Sequence, residues 1–242
     1  MPAPRFYHPG TIASSVKLET PAVHHALNVL RLKSAEAVVV FNGNGGEYRG
    51  VVSHCGKNSV TVDIREFSEV ERESPLRIAL AQGISSSDNM DFTVQKATEL
   101  GVASIQPLAT QKSVVRLSEE RAAKRAQHWQ RVVISACEQC GRNRVPRVEP
   151  ALPLREWLAQ LGADEGESRW LLSPDGNKLL RDFVQPSQIL LLAGPEGGFT
   201  PAEEQAAEPA GFVKVKLGPR TLRTETAALA ALAAIQALWG DF

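Results

Sequence analysis

The residues best suited to hold a small molecule are three glycines and a glutamate in the stretch AGPEGGFTPAE. Gly194, Gly197 and Gly198 have no side chain, so the backbone can come within hydrogen-bonding distance of a ligand or adopt a positive φ. Glu196 adds a carboxylate, which favours a neutral or cationic ligand carrying hydroxyl or amino donors. The loop has neither the G-x-G-x-x-G spacing of dinucleotide-binding folds nor the G-K-[ST] of a P-loop. A tight turn that binds nothing is equally compatible with these residues.

A second loop, in the stretch LGPRTLRTE, carries Arg220 and Arg223 beside Glu225. Arginines are costly to bury unpaired, but they bind phosphate well through their fork of donors. The alternative is a surface pair between Arg223 and Glu225 in front of a core helix. We expect the two loops to form one site.

Each loop joins an apolar strand to a helix. Residues 189–193 form a short continuous apolar run, as in a strand buried on both faces. Thr200 and Glu203 have the T-x-x-E spacing of a capping box, which predicts a helix start after the glycines. The second helix is predicted from about Thr224 to Trp239, with an alanine-rich face suited to close packing. Ligands of parallel sheets bind beyond the carboxyl ends of the strands, where both loops lie.

The rest of the chain indicates an α/β protein with a mostly parallel sheet and flanking helices, preceded by a small β domain. Residues 35–64 contain three β-branched runs separated by turn sequences, after a short helix within 20–32, and the polar stretch 65–75 is interpreted as a linker. We place the domain boundary between residues 72 and 73. Further strands are predicted within 76–84, 104–110, 168–174, 188–194 and 212–218, and helices within 90–102 and 118–140, with Ser118 as N-cap.

The charge pattern favours a polyanionic partner although the formal net charge is zero. Between residues 111 and 147 bases far outnumber acids, and an acidic segment offsets them further along the chain. Such segregation produces a local positive surface. A solvated helix face followed by a basic loop explains the pattern equally well. The bases are Lys112, Arg116, Arg121, Lys124, Arg125, Arg131, Arg142, Arg144 and Arg147.

Composition places the chain among ordinary globular proteins, with 43% hydrophobic and 22% charged residues. No apolar run is long enough to cross a bilayer and the start lacks a signal-peptide pattern, so we expect a cytoplasmic protein. Cys55, Cys137 and Cys140 include one C-x-x-C pair, but no second Cys/His pair is spaced to complete a zinc site. We expect reduced cysteines and no metal.

The stretches LLLAGPEGGFTPAE and LGPRTLRTETAALAAL together resemble the two C-terminal signature motifs of the SPOUT methyltransferases. RFYHP, HHALNVLRLK, FNGNGGEYRG, MDFTVQKATELGV and ACEQCGRNRVP each match, in order, the ribosomal RNA small subunit methyltransferase E family, so the resemblance covers nearly the whole chain. It implies a PUA-like β-barrel followed by a SPOUT domain with a deep trefoil knot. The implied activity is S-adenosylmethionine-dependent methylation of N3 of a uridine, numbered 1498 in that family, in 16S rRNA of the small (30S) ribosomal subunit by a homodimer.

The resemblance also implies roles for individual residues. The catalytic candidates are Arg220, Arg223 and Glu196, of which Arg220 is placed near the target base or its phosphate. Glu196 is either a proton acceptor or a contact to a ligand hydroxyl or amine. Arg142 is either an RNA-phosphate contact or an exposed loop arginine. S-adenosylmethionine is expected to contact Leu192, Gly194, Glu196, Gly197, Gly198, Leu217, Gly218, Leu222 and Thr226. RNA is expected to contact Arg5, Arg31, Arg142 and Arg144.

The same residues allow two other functions. The chain could be an RNA-binding or ribosome-assembly protein without turnover, or a nucleotide-binding enzyme that uses the glycine loop for phosphate. Two departures from the family bear on these choices. The stretch SSSDNMDF lacks a lysine that many members carry before the following helix, and Pro219 and Thr221 flank Arg220 where other residues are common.

Overall fold

The computed structural model describes residues 3–113, 119–162 and 166–242. The chain divides into two compact units. The first consists of Met1–Glu73 together with Ile134–Val145, and the second of Ser74–Val133 together with Pro146–Phe242. A segment far along the chain therefore contributes to the N-terminal unit.

The first unit is built on a five-stranded sheet with the strand order β1-β3-β4-β5-β2. Only the pair β1–β3 is parallel. A short helix, α1 (Thr20–His24), continues directly into a π-helical turn, His25–Val29. The strands are β1 (Arg5–Tyr7), β2 (Ser15–Lys17), β3 (Ala37–Phe41), β4 (Glu47–Gly56) and β5 (Ser59–Ser68).

The longest hairpin of this unit extends beyond the limit expected from the sequence. Residues 65–68 continue β5, where Phe67 pairs with Tyr48 and their rings lie 4.8 Å apart. The expectation of a linker over 65–75 is therefore wrong for its first four residues, because cross-strand pairing with β4 outweighs their polar character. Register shifts after Arg49 and Val52 interrupt the ladder, and such bulges bend a sheet.

The second unit contains a seven-stranded sheet in which every pairing is parallel. Its strand order is β12-β10-β11-β6-β7-β8, and β9 also pairs with β7. The strands are β6 (Arg77–Gly83), β7 (Ser104–Ala109), β8 (Arg147–Val148), β9 (Leu152–Pro153), β10 (Glu167–Leu172), β11 (Gln188–Ala193) and β12 (Val213–Val215). The helices are α2 (Ser87–Glu99), α3 (Glu119–Cys140), α4 (Leu154–Gln160), α5 (Pro201–Ala207) and α6 (Thr224–Trp239).

The strands and helices expected between residues 76 and 239 are confirmed, whereas β8, β9 and α4 were not predicted. The α5 capping box is present, since Thr200 accepts from the Glu203 backbone and the Glu203 carboxylate accepts from Thr200. The α6 bounds agree with the expected 224–239. The predicted N-cap of α3, Ser118, lies outside the described residues.

Helices cover both faces of the second sheet. On one face Leu190 and Leu192 of β11 pack in a cluster with Trp157 of α4 and Ala207 of α5. Strand side chains alternate, so the buried Ile189 and Leu191 point to the opposite face. There α6 contacts β11 and α2. None of the helices within 3–113, 119–162 and 166–242 is long and apolar enough to cross a membrane.

Candidate active site

A cleft of the second unit lies where three neighbouring parallel strands end. Strand β10 is paired with β11 on one side and β12 on the other, so the loops that follow all three emerge side by side. The cleft has a volume of about 360 Å³, and residues of each of the three loops line it. This confirms that the two loops singled out from the sequence come together at the carboxyl edge of the sheet.

The third loop, which follows β10, was missed by the sequence reasoning. Ser173, Pro174 and Asp175 line the cleft, and the turn is closed by a hydrogen bond of 3.1 Å from the Gly176 amide to the Ser173 carbonyl. A Pro-Asp-Gly turn after a predicted strand was the available signal. Its relevance depended on β10 lying between the other two strands, and the sequence alone does not reveal strand order.

The glycines of the cleft serve two different purposes. Gly198 has a φ of +66° and Gly218 a φ of +119°, and a Cβ built on either would meet no atom of the described residues within 4 Å, chain neighbours aside. At these two positions the bare backbone faces open space. By contrast, a Cβ on Gly197 would lie 3.0 Å from Lys112, and one on Gly194 would lie 3.2 Å from the Gly198 backbone. Gly194 and Gly197 therefore allow the loop to pack against its own protein surroundings.

Most of the residues expected at the site lie in the cleft wall. Leu192 is instead buried within β11, and Arg223 and Thr226 lie outside the cleft lining. The expected residues that line the cleft are Gly194, Glu196, Gly197, Gly198, Leu217, Gly218, Arg220 and Leu222. Lining residues that were not expected include Leu172, Asp175, Glu204, Thr224 and Ala227.

The Glu196 carboxylate is held by the start of helix α2. It accepts hydrogen bonds from the Ser86 amide at 2.8 Å and from the Asn89 side chain at 3.1 Å. Partial burial opposes ionisation, but these hydrogen bonds outweigh it and hold the pKa of Glu196 below its usual range. A carboxylate with a lowered pKa is a weak proton acceptor, so the geometry favours a role in holding the glycine loop.

The other two carboxylates of the cleft differ in their partners. Glu204 accepts a hydrogen bond from Ser173 at 3.0 Å and forms a 3.0 Å ion pair with Lys214. The exposed Asp175 carboxylate has no ion pair among the described residues. Its charge therefore remains available to a ligand, and a cation would be favoured at this end of the cleft.

The arginines assigned to RNA differ sharply in exposure. The Arg142 guanidinium is only 5% exposed and donates two hydrogen bonds to Glu73, of 3.0 and 2.5 Å. Burial disfavours the charge, but Glu73 more than compensates and raises the pKa of Arg142 further. The expectation of an exposed loop arginine is therefore wrong, and a guanidinium engaged in this way is not presented to RNA.

Arg5 is a structural residue of the same unit. It donates hydrogen bonds of 2.6 Å to Glu47 and to the Asn143 side chain. Burial raises the pKa of Glu47, but hydrogen bonds from Arg5 and Arg72 lower it by more. The stretch CGRNR thus joins the end of α3 to the N-terminal sheet. These contacts within the protein account for its arginines and asparagine, and no RNA contact is needed to explain them. Arg31 and Arg144 are exposed.

Replacing Arg142 by alanine is expected to destabilise the protein by on the order of 3 kcal/mol, because it leaves the largely buried Glu73 carboxylate without its partner. Urea unfolding followed by circular dichroism measures the loss. The matched control is Arg144→Ala, whose guanidinium is 58% exposed and 3.7 Å from Glu71. We expect the control to cost less than about 1 kcal/mol. Equal stability of the two variants would contradict the structural role of Arg142.

The cysteines show no metal-binding arrangement in the described residues. Burial raises the pKa of Cys137 to about 12, so its thiol stays protonated and is a poor metal ligand or nucleophile. All three cysteines are free thiols. Across the described ranges, no three or more His, Cys, Asp or Glu residues are grouped so that they could hold a metal ion.

Comparisons with known proteins match both units. An RNA methyltransferase domain model matches residues 72–236, and an RNA methyltransferase PUA domain model matches residues 18–65. The ribosomal RNA small subunit methyltransferase E of Buchnera aphidicola (subsp. Schizaphis graminum) is 33% identical over 93% of this chain and 92% of its own. The enzyme of that name from Bacillus subtilis is 32% identical over 88% of this chain and 86% of its own.

Two solved structures are similar over essentially the whole chain. The ribosomal RNA small subunit methyltransferase E from Neisseria gonorrhoeae, bound to S-adenosylmethionine, superposes with a TM-score of 0.91 at 45% identity and covers 99% of both chains. A putative methyltransferase from Legionella pneumophila, also with bound S-adenosylmethionine, has a TM-score of 0.95 at 38% identity and covers both chains fully. The expected fold class is confirmed as an α/β domain with a mostly parallel sheet, preceded by a small PUA-like β domain.

Proposed function

The chain belongs to the ribosomal RNA small subunit methyltransferase E family, and from this membership we infer that it is an S-adenosylmethionine-dependent methyltransferase of 16S rRNA. We propose that the target is N3 of uridine 1498, the position implied by the resemblance to this family. The observation that carries this function is the cleft itself. Three strand-end loops meet there and leave the backbone of Gly198 and Gly218 open to a ligand.

The cleft is chemically suited to S-adenosylmethionine. Two relatives that match nearly the whole chain hold this cofactor. The cofactor is cationic at its sulfonium and amino groups, and Asp175 is a lining carboxylate without an ion pair in the described part of the chain. The Gly218 backbone can donate and accept hydrogen bonds, whereas the Gly198 amide already donates to the Pro195 carbonyl at 2.8 Å and leaves only its own carbonyl to a ligand. When bound, the cofactor supplies an activated methyl group.

Arg220 is our candidate for the catalytic residue. Uracil N3 must lose its proton to be methylated, and the resulting negative charge is shared by the carbonyl oxygens. Arg220 lines the cleft, is exposed, and can donate hydrogen bonds to such an anion. The Watson–Crick edge of the uridine must be unpaired or turned out of its stack to reach the site. Arg223 lies outside the cleft lining, so we propose that it contacts an RNA phosphate instead of the target base.

The wider assembly follows from the family. We propose that residues 1–72 act as the RNA-binding domain and residues 73–242 as the methyltransferase domain, with the exposed Arg31 and Arg144 on the RNA surface. We also propose a trefoil knot around the cofactor and a homodimer with its active sites at the subunit interface. The substrate is placed in the small (30S) ribosomal subunit in the cytoplasm.

The direct test is methyl transfer to ribosomal subunits. Purified protein with tritiated S-adenosylmethionine is expected to label 16S rRNA in 30S subunits taken from a strain that lacks the modification. Subunits from the parent strain are the control and should accept no label, because their target position is already methylated. Binding of 30S subunits without label transfer would favour an RNA-binding protein without turnover. Calorimetric binding of ATP in preference to S-adenosylmethionine would favour a nucleotide enzyme.

A further inference from the structure

We propose that Gln82 and Thr224 are positioning residues that fix the cofactor-binding loops. The inference rests on the proposed function and identifies residues that set the shape of the cleft. Gln82 lies at the end of β6, and Thr224 is the first residue of α6. Both side chains converge on the carbonyl group of Gly194, the residue with which the glycine-rich loop leaves β11.

The Gln82 side chain is completely buried and its amide nitrogen has three partners. It lies 3.0 Å from the Gly83 carbonyl oxygen, 3.1 Å from the Gly194 carbonyl oxygen and 3.1 Å from the Thr224 hydroxyl. Thr224 in turn donates its hydroxyl hydrogen to Gly194. The two carbonyls can only accept, which requires the amide nitrogen, not the oxygen, to face this cluster.

This arrangement ties three chain segments together at one carbonyl. The Gly194 oxygen receives one donor from the β6 end and one from the start of α6. The next residue, Pro195, has no amide hydrogen. The Gly194 carbonyl is therefore the only hydrogen-bonding group of the peptide bond between Gly194 and Pro195. Any movement of Gly194 would shift the loop that carries Gly198. Movement of Thr224 would likewise shift the preceding residues, which include Arg220 in the cleft wall.

Close packing shows that the hydrogen-bonded cluster of Gln82, Thr224 and the Gly194 carbonyl lies directly beneath the glycine-rich loop. A Cβ built on Gly83 would lie 2.6 Å from Pro195, so the β6 end and the glycine-rich loop are in direct contact. The Gln82 amide oxygen is buried and has no hydrogen-bond partner among the described residues. An unpaired buried oxygen is destabilising. The side of the amide that makes hydrogen bonds is therefore its donor side, which faces Gly83, Gly194 and Thr224.

Gln82→Met tests the proposal, because methionine is close in volume and cannot donate. We expect the KM for S-adenosylmethionine and its calorimetric Kd to rise about tenfold or more, from the loss of the amide's hydrogen bonds. The KM for 30S subunits should be unchanged. Gln106→Met is the matched control. Gln106 lies on the neighbouring strand β7 and its amide likewise donates to two carbonyls, those of Pro107 and Pro150. The Gln106→Met variant should bind the cofactor with wild-type affinity.

The hydroxyl of Thr224 provides a second, independent variant pair. Thr224→Ser retains the donor and should bind the cofactor within about twofold of wild type, whereas Thr224→Val should weaken binding about tenfold. Thermal unfolding of each variant identifies those that fold.

The outcomes separate this inference from the proposed function. Wild-type cofactor affinity in folded Gln82→Met and Thr224→Val would overturn the positioning role and leave the methyltransferase function intact. Equal losses in Thr224→Ser and Thr224→Val would also overturn it. A wild-type protein that neither binds S-adenosylmethionine nor transfers its methyl group would instead refute the proposed function.

Discussion

A Gly218→Val variant is expected to fold and to lose at least about 100-fold in affinity for S-adenosylmethionine. Apart from its chain neighbours, no described residue has an atom within 4 Å of the Cβ position of Gly218, so we expect no steric clash between the valine side chain and the protein. It would project into open space at the cleft wall, where the ligand must approach the backbone. Calorimetric titration with S-adenosylmethionine and S-adenosylhomocysteine measures the effect, and both ligands should be affected.

Backbone strain has to be separated from this steric effect. Gly218 has a φ of +119°, which a β-branched residue adopts only at a cost of about 1–3 kcal/mol. Gly211 provides the control, since its φ is +85° and the atom nearest to its Cβ position is Arg169 Cδ at 3.8 Å. It lies in the turn after α5, outside the cleft lining. Gly211→Val should lose stability but keep its cofactor affinity. Equal losses of affinity in both variants would contradict the proposed approach of the ligand to Gly218.

Local sequence patterns predicted the elements of the second unit well. The capping box of Thr200 and Glu203 depends on residues three apart, and the apolar run at 189–193 is contiguous, so both signals are complete within a short window. The third loop was missed for the opposite reason. Asp175 belongs to the cleft because β10 lies between β11 and β12, and strand order arises from contacts that are distant along the chain.

Long-range partners also explain the misassigned arginine. Arg142 and Glu73 are 69 positions apart, and nothing near either residue marks the pair. A basic loop has the same local sequence whether its charges meet RNA or a buried carboxylate. The glycines show the same limit: Gly197 and Gly198 are adjacent, yet the Cβ position of one meets Lys112 and that of the other meets open space. The glycine content of this loop predicted a ligand-binding loop. Only the fold distinguishes the glycines that face the cleft from those that pack against the protein.

Replacing Arg220 by alanine is expected to lower kcat by about 100- to 1,000-fold, the usual effect of removing one donor that stabilises a developing anion. Arg220 lines the cleft, and no carboxylate pairs with it in the described part of the chain, so its donors are available to the substrate. The effect belongs to the methyl-transfer step, and the Kd for S-adenosylmethionine should change by less than about threefold. Single-turnover labelling of 30S subunits at saturating cofactor measures this step directly.

Two further variants make the result specific to the guanidinium group. Arg220→Lys keeps the positive charge but loses the planar fork of donors, so we expect it to recover only part of the lost rate. Arg155→Ala removes an exposed arginine from α4, which does not line the cleft, and should leave kcat unchanged. A folded Arg220→Ala variant with a wild-type single-turnover rate would exclude Arg220 as the group that stabilises the uracil anion. Because Arg220 is the one arginine that lines this cleft among the described residues, such a result would indicate that the donor is the lining Lys216, the backbone or the second subunit of the proposed homodimer.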